Sequence, residues 1–239
     1  MHEIYRSDAI YPNKNFKETA RKKGETNLAW VKRNWGKGGS HIRLLLVGGT
    51  SNISARLRFA QSDMRSNLSP SNWSHIALLP SASSTREISL EPPGGFGHPP
   101  SRNAVQTGRV SAYSELEEFP NLALIRLPVS KREVLKACER FETQRNALDT
   151  VELTLRWLSF AWGAGAATNP LLDGYGMPSA AMVEFVLNAA GYELTPGLAS
   201  RSSCPEAIWQ SARWWKDYYN DGSHGAPEGA WMVKHFYVD

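Results

Sequence analysis

Three side chains in this 239-residue sequence could do nucleophilic chemistry together: a hydroxyl at a helix mouth, an imidazole on a strand, and a carboxylate on the strand that follows. Ser179 follows Pro178 and a glycine-rich approach, Gly174 and Gly176, and precedes an apolar run that stops at Gly191; these are helix start and stop signals. Positions 179, 183, 186 and 190 share one stripe of that helix, so the hydroxyl faces whatever the helix packs on. It also lies at the positive end of the helix dipole, where an anionic nucleophile or a developing oxyanion is stabilised. The other role open to Ser179 is that of an N-cap alone.

His75 lies in the run Trp73-Ser74-His75-Ile76-Ala77-Leu78-Leu79, a short strand on whose period of two it shares a face with Ala77 and Leu79. In the next strand-like run Glu87, Ser89 and Glu91 share the face that excludes Ile88 and Leu90. A turn centred on Ser83 sets Leu79 opposite Glu87 and His75 opposite Glu91, which makes 75 and 91 cross-strand neighbours. A carboxylate beside an imidazole fixes its tautomer and stabilises its charged form, the base and orienter that a nucleophile needs. The other reading is a structural histidine with a chance acidic neighbour, since a one-residue slip of register removes the pair. Cys204, before Pro205 at a helix start, is a rival thiol. Cys138 shares a helical face with Val134 and Phe141 and reads as core.

The elements that must position these groups are legible as patterns. His41 to Val47 is a strand, Gly48 to Asn52 a turn, and Ile53, Ala55, Leu57 and Phe59 alternate with Ser54, Arg56 and Arg58 as the half-buried second strand of a hairpin. Strands are expected near 74–79, 87–91 and 121–127, and a long surface loop without periodicity over 92–120. Ser130-Lys131-Arg132-Glu133 has capping-box spacing. Residues 149–162 read as a helix or apolar turn, and Pro205 opens a last helix with Ile208, Ala212, Trp215 and Tyr219 as its buried stripe. The tail from Trp231 reads as a strand, and residues 16–34 hold one helix.

The totals bound the function. Hydrophobic residues make up 41% and charged residues 21%, ordinary for a globular chain with one main core. The net charge is +4, but residues 1–40 carry nine Lys and Arg against four Asp and Glu. The sequence therefore divides into a basic arm, residues 1–39, and a domain over 40–239. Pro, Asn and Gly punctuate the arm, so it reads as solvated and removable without loss of the melting transition, and no nucleic-acid partner is expected. No apolar run approaches the roughly 18 to 20 residues of a membrane span, and the start, Met1-His2-Glu3-Ile4-Tyr5-Arg6, lacks a signal-peptide core. The two cysteines are too few for a disulfide framework or a zinc site, so neither metal nor cofactor is expected.

The order of the parts carries a resemblance. A strand opening Ser74-His75-Ile76-Ala77-Leu78-Leu79 comes first, then a strand ending at an acidic residue, a strand ending Ile125-Arg126-Leu127-Pro128, and a helix. A small-residue helix ending Leu187-Asn188-Ala189-Ala190-Gly191 follows, with Thr195-Pro196-Gly197 and Ser203-Cys204-Pro205 behind it. Over residues 41–215 this resembles the circularly permuted papain-like hydrolases, the NlpC/P60-related group that includes the lecithin:retinol acyltransferase type. The resemblance implies an α+β fold, an antiparallel sheet packed on helices. It assigns His75 as base, Glu91 as the polar residue of the next strand, and Ser179 to the place of the family's cysteine nucleophile. A serine is the weaker nucleophile, so the implied enzyme is an inactivated Cys-to-Ser form; a natural serine variant and a pseudoenzyme are the alternatives. A slip of the alignment to Met182 removes the nucleophile. Cys204 becomes a substitute cap where the family has Ser or Thr before Pro.

Substrates implied by the resemblance are peptide amides, cell-wall peptides included, or acyl esters and thioesters. A bacterial toxin effector is implied with them, cytoplasmic in the producer and delivered into other cells by a specialised secretion system, with an immunity or chaperone protein as partner. The competing function is a non-catalytic binding module using the same cleft and the aromatics Trp209, Trp214, Trp215, Tyr218 and Tyr219.

Overall fold

The computed structural model describes residues 15–36, 39–90, 102–144, 150–218 and 225–234. Its frame is a seven-stranded sheet in the order β1-β7-β6-β2-β3-β4-β5. The strands are β1 (Phe16–Glu18), β2 (His41–Gly48), β3 (His75–Ser81), β4 (Ser84–Glu87), β5 (Gln106–Arg109), β6 (Asn121–Ser130) and β7 (Glu228–Met232). Every pairing is antiparallel except that of β1 with β7. The helices are α1 (Asn27–Asn34), α2 (Asn52–Ala60), α3 (Lys131–Thr143), α4 (Thr150–Trp162), α5 (Pro178–Ala189) and α6 (Pro205–Tyr218). The chain is thus α+β.

Strand β2 explains the layering. Its run Leu44-Leu45-Leu46-Val47 is buried on both sides, as a continuous apolar strand must be. Leu44 and Leu46 enter a large core shared with α2 to α6, while Leu45 and Val47 enter a smaller one on the other face. That second face is closed by Trp30 and Val31 of α1, the turn Val110–Tyr113 and Phe119. The basic arm is therefore integral from Phe16 onward: β1 pairs with β7, and Trp30 is fully buried with its indole Nε1–H donating to Thr19 O at 2.7 Å. This packing argues against the expectation that it can be removed, because charge pattern reports the exposed side of α1 and not the apolar pair beneath it.

The hairpin expected over 41–59 is a strand followed by a helix. Residues 53–59 belong to α2, capped by the Ser51 hydroxyl, which accepts from Ser54 N, and Phe59 is 62% exposed where a strand would bury it. Ile53, Leu57 and Ala60 also fit a helical stripe, so alternation is ambiguous here and the cap decides the outcome. The helix expected over 16–34 is β1 plus the shorter α1. The strand expected at 87–91 ends at Glu87, and within the aperiodic 92–120 stretch the chain forms β5 and the turn Val110–Tyr113. Ser130 stands at the N-cap of α3 as expected, though its hydroxyl makes no cap bond. Cys138 is core, and Ile208, Ala212 and Trp215 are buried on α6; Tyr219 lies outside the described residues. Among the described residues no helix is long and apolar enough to cross a membrane.

The packing of α1 and α5 sets two expectations for stability. Trp30→Ala should cost about 3 to 5 kcal/mol, and deletion of residues 1–35 should abolish cooperative unfolding, both read by urea denaturation; an unchanged midpoint would contradict the integral arm. The second expectation concerns Glu184 on α5, which is 1% exposed with no well-formed hydrogen bond to either carboxylate oxygen among the described residues. Burial raises its carboxyl to about 7, with Thr195 opposing and the charge of Glu193 adding. A raised folded-state value means stability that is full below the unfolded value near 4.5 and is lost as pH rises through about 7. The loss between pH 5 and pH 8 should be about 2.5 kcal/mol, and Glu184→Gln should flatten it.

Candidate active site

The approach to α5 is set by backbone contacts. Gly176 N donates to Arg201 O at 2.7 Å and Met177 N to Ser203 O at 2.8 Å, while Trp157 Nε1 donates to Gly176 O at 2.7 Å. A Cβ at position 176 would collide with the Ser203 backbone, so glycine is required there. Met177 is the N-cap and Pro178 the first helical residue, which places Ser179 inside the first turn and not at the cap. The N–H groups of Ser179 and Ala180 belong to the set that has no intrahelical acceptor. Both residues line a cavity of about 200 Å³ that also takes in Ser51, Ser74, His75 and Tyr113.

His75 opens β3 opposite Val47. Its neighbour Ser74 fixes the strand start: Ser74 N donates to Val47 O at 2.8 Å, and the Ser74 hydroxyl accepts from Gly49 N at 3.0 Å. The expected register of β3 with β4 is corrected. Leu78 lies opposite Arg86 and Ser81 opposite Ser84, with an irregularity between them. The turn is thus tighter than one centred on Ser83 in the expected register, and extending the Leu78–Arg86 register puts His75 opposite Ser89.

The carboxylate at His75 is accordingly Glu87, a diagonal neighbour on the same face. His75 Nε2 and Glu87 Oε2 are 2.6 Å apart, with Glu87 1% exposed and His75 16% exposed. Glu91, the residue expected in this role, lies outside the described residues. The period-two pattern already placed Glu87, Ser89 and Glu91 on one face; choosing among them required the turn geometry.

Glu87 is held by two further donors. The Thr85 hydroxyl donates to Oε1 at 2.5 Å, and the Tyr113 hydroxyl donates to Oε2. Burial acts to raise the Glu87 carboxyl, but the hydrogen bond and charge of His75 with the bonds from Thr85 and Tyr113 bring it below the usual carboxylate range. On β5 Gly108 lies opposite Thr85, and a Cβ there would come 2.6 Å from Glu87 Oε1, so any side chain would push the carboxylate out of its place. Tyr113 and Thr85 escaped sequence reasoning: no pattern in the 92–120 stretch marks Tyr113, and Thr85 falls in the connection between the two expected strands.

Ser179 reaches the same cavity from the other side of the sheet. Helix α5 packs on the face of Ile76 and Leu78, whereas His75, Glu87 and Tyr113 occupy the opposite face. The two sides communicate because the β3–β4 ladder ends early. Ile76 and Ile88 would be the next pair in the Leu78–Arg86 register, and the Ser179 hydroxyl stands between them, donating to Ile76 O and receiving a long 3.5 Å contact from Ile88 N. Its hydrogen bonds are therefore with strand backbone and not with His75, so the direct contact of the two side chains that a nucleophile and its base require is not made in this arrangement.

The rival nucleophiles are disfavoured by their surroundings. Burial pushes the Cys204 thiol up to about 12, despite the backbone N–H groups of Ala207 and Glu206 at its sulfur, which is the geometry of a cap substitute. Cys138 is likewise pushed to about 12 by burial, with Glu142 adding. Met182 is fully buried in the main core. Of the aromatics expected on a binding face, Trp209 and Trp215 are core residues and Trp214 is half exposed; the side chains of Tyr218 and Tyr219 are not among those described. Among the described residues no three His, Cys, Asp or Glu side chains are grouped so as to hold a metal ion. No protein-family model, curated protein or solved structure matches the chain.

Proposed function

We propose that the chain is a hydrolase or acyl-transfer domain of the permuted papain-like kind, acting on a peptide amide or an acyl ester or thioester. His75 is its general base, Glu87 its orienter, and position 179 its nucleophile position. The observation that carries the reading is the fully buried Glu87 carboxylate 2.6 Å from the Nε2 of His75, a histidine that lines the same cavity as the mouth of α5. Keeping a buried carboxylate ionised is costly without several donors, and perturbed groups of this sort concentrate at catalytic sites.

With Nε2 bound to Glu87, Nδ1 is the nitrogen left to take a proton. In this reaction the side chain at 179 has to leave Ile76 O and pass its proton to Nδ1 across the cavity that both residues line, directly or through one water, as its oxygen or sulfur bonds to the substrate carbonyl carbon. The carbonyl oxygen becomes an oxyanion facing the N–H groups of Ser179 and Ala180. The leaving group departs with the proton returned by His75, and water completes hydrolysis by the same transfers in reverse order.

A second reading, a non-catalytic binding module, is favoured by one observation: the Ser179 hydroxyl is bound to strand backbone. The variant Ser179→Cys separates the two. As the site of a nucleophile it should be alkylated by iodoacetamide at least about tenfold faster than the two buried cysteines, and His75→Ala should remove about tenfold or more of that rate. A thiol at position 179 no more reactive than that of Cys138 would refute the hydrolase reading and leave the binding module.

A further inference from the structure

The donor that completes the Glu87 site comes from a turn with no other evident link to chemistry. Tyr113 ends the 3-10 turn Val110–Tyr113 and gives its hydroxyl to the oxygen that His75 Nε2 also uses. Its ring is fixed on both sides. It packs edge-on to Phe119 at 5.2 Å and lies tilted by 30° over the His75 ring at 5.9 Å. The backbone beneath is tethered in turn: Asn27 of α1, 1% exposed, donates through Nδ2 to Tyr113 O at 2.6 Å and to Phe119 O at 2.9 Å.

A continuous chain of contacts therefore runs from α1 to the imidazole: Asn27, the Tyr113 backbone, the Tyr113 hydroxyl, Glu87, His75. Packing alone explains the ring but not the hydroxyl, because a phenylalanine would fill the same space. What the hydroxyl adds is a third donor to a carboxylate shut away from solvent. With Thr85 on the other oxygen, it leaves Glu87 a single orientation.

We propose that Tyr113 is a positioning residue for His75, holding Glu87 charged and aligned, and that Asn27 anchors it, so that α1 supports the site through the Val110–Tyr113 turn. The inference rests on His75 as the base of the proposed reaction, but the proton chemistry it asserts at Glu87 can be read without any reaction. With the hydroxyl gone, the carboxylate loses charge stabilisation and holds its proton to higher pH.

The test follows the Glu87 side-chain carbon by NMR through a pH titration of the full chain, assigned with Glu87→Gln. Tyr113→Phe keeps the ring packing and should raise the Glu87 midpoint by about half a unit or more. Thr85→Val should raise it independently, and Asn27→Ala should raise it by loosening the turn. A Tyr113→Phe titration superimposable on that of the parent chain, in a protein that still unfolds cooperatively, overturns the proposal, because a packing role would alter the melt and not the midpoint. In the Ser179→Cys background the acid limb of the alkylation profile should move in the same direction as the Glu87 midpoint. If the midpoint moves and the alkylation limb does not, the positioning role of Tyr113 stands and the assignment of position 179 as nucleophile fails.

Discussion

A central strand that is apolar on both faces has to be covered twice, and much of this molecule follows from that constraint. Leu44 and Leu46 of β2 are covered by the helices α2 to α6, Leu45 and Val47 by α1, the Val110–Tyr113 turn and Phe119. Each buried Leu or Val contributes roughly 1.5 to 3 kcal/mol when removed from water, so leaving the second face open would forfeit a large part of the stability of a domain this size. The basic arm cannot be an appendage for this reason. Its charges, Lys32 and Arg33 among them, sit on the outer side of a helix whose inner side is Trp30 and Val31.

Double coverage also creates the site. The second-face cover brings Tyr113 over β3 and β4, where a strand residue such as Glu87 would otherwise point a carboxylate into apolar surroundings. On the first face, α5 arrives with its N-terminus at the place where the β3–β4 ladder stops. The cavity is the gap between those two packings, walled by the turn on one side and the helix mouth on the other. Its polar character is inherited from strand ends and helix starts, Ser51, Ser74 and Ser179 among them, where backbone donors outnumber partners.

Strand and helix positions with unbroken periodicity were legible in the sequence. The strand at His75, the helix opening at Pro178, the buried stripe of α6 and the core position of Cys138 are examples. What failed did so for local physical reasons. Residues 53–59 satisfy both a period of two and a helical stripe, and the Ser51 cap tips the balance. The acidic partner of His75 was assigned to the right face but to the wrong turn geometry, because a register with an irregularity between Leu78 and Ser81 cannot be read from alternation. Tyr113 left no trace, since a side chain that acts from a short 3-10 turn belongs to no repeating pattern.

The Ser179 hydroxyl substitutes for a missing rung of the sheet. Between Ile76 and Ile88 it stands where a backbone bond would close the ladder, and it gives each strand a partner. Turning it towards His75 would leave the Ile76 carbonyl and the Ile88 N–H without that partner, at a cost of about 1 to 3 kcal/mol for buried groups, roughly a fivefold to hundredfold bias against the reactive rotamer. A thiol in the same place is a weaker hydrogen-bond donor and would be held less firmly, while its lower intrinsic pKa makes it the better nucleophile. On the proposed hydrolase reading serine is thus disfavoured twice as the nucleophile at this position, by its own acidity and by the ladder it mends.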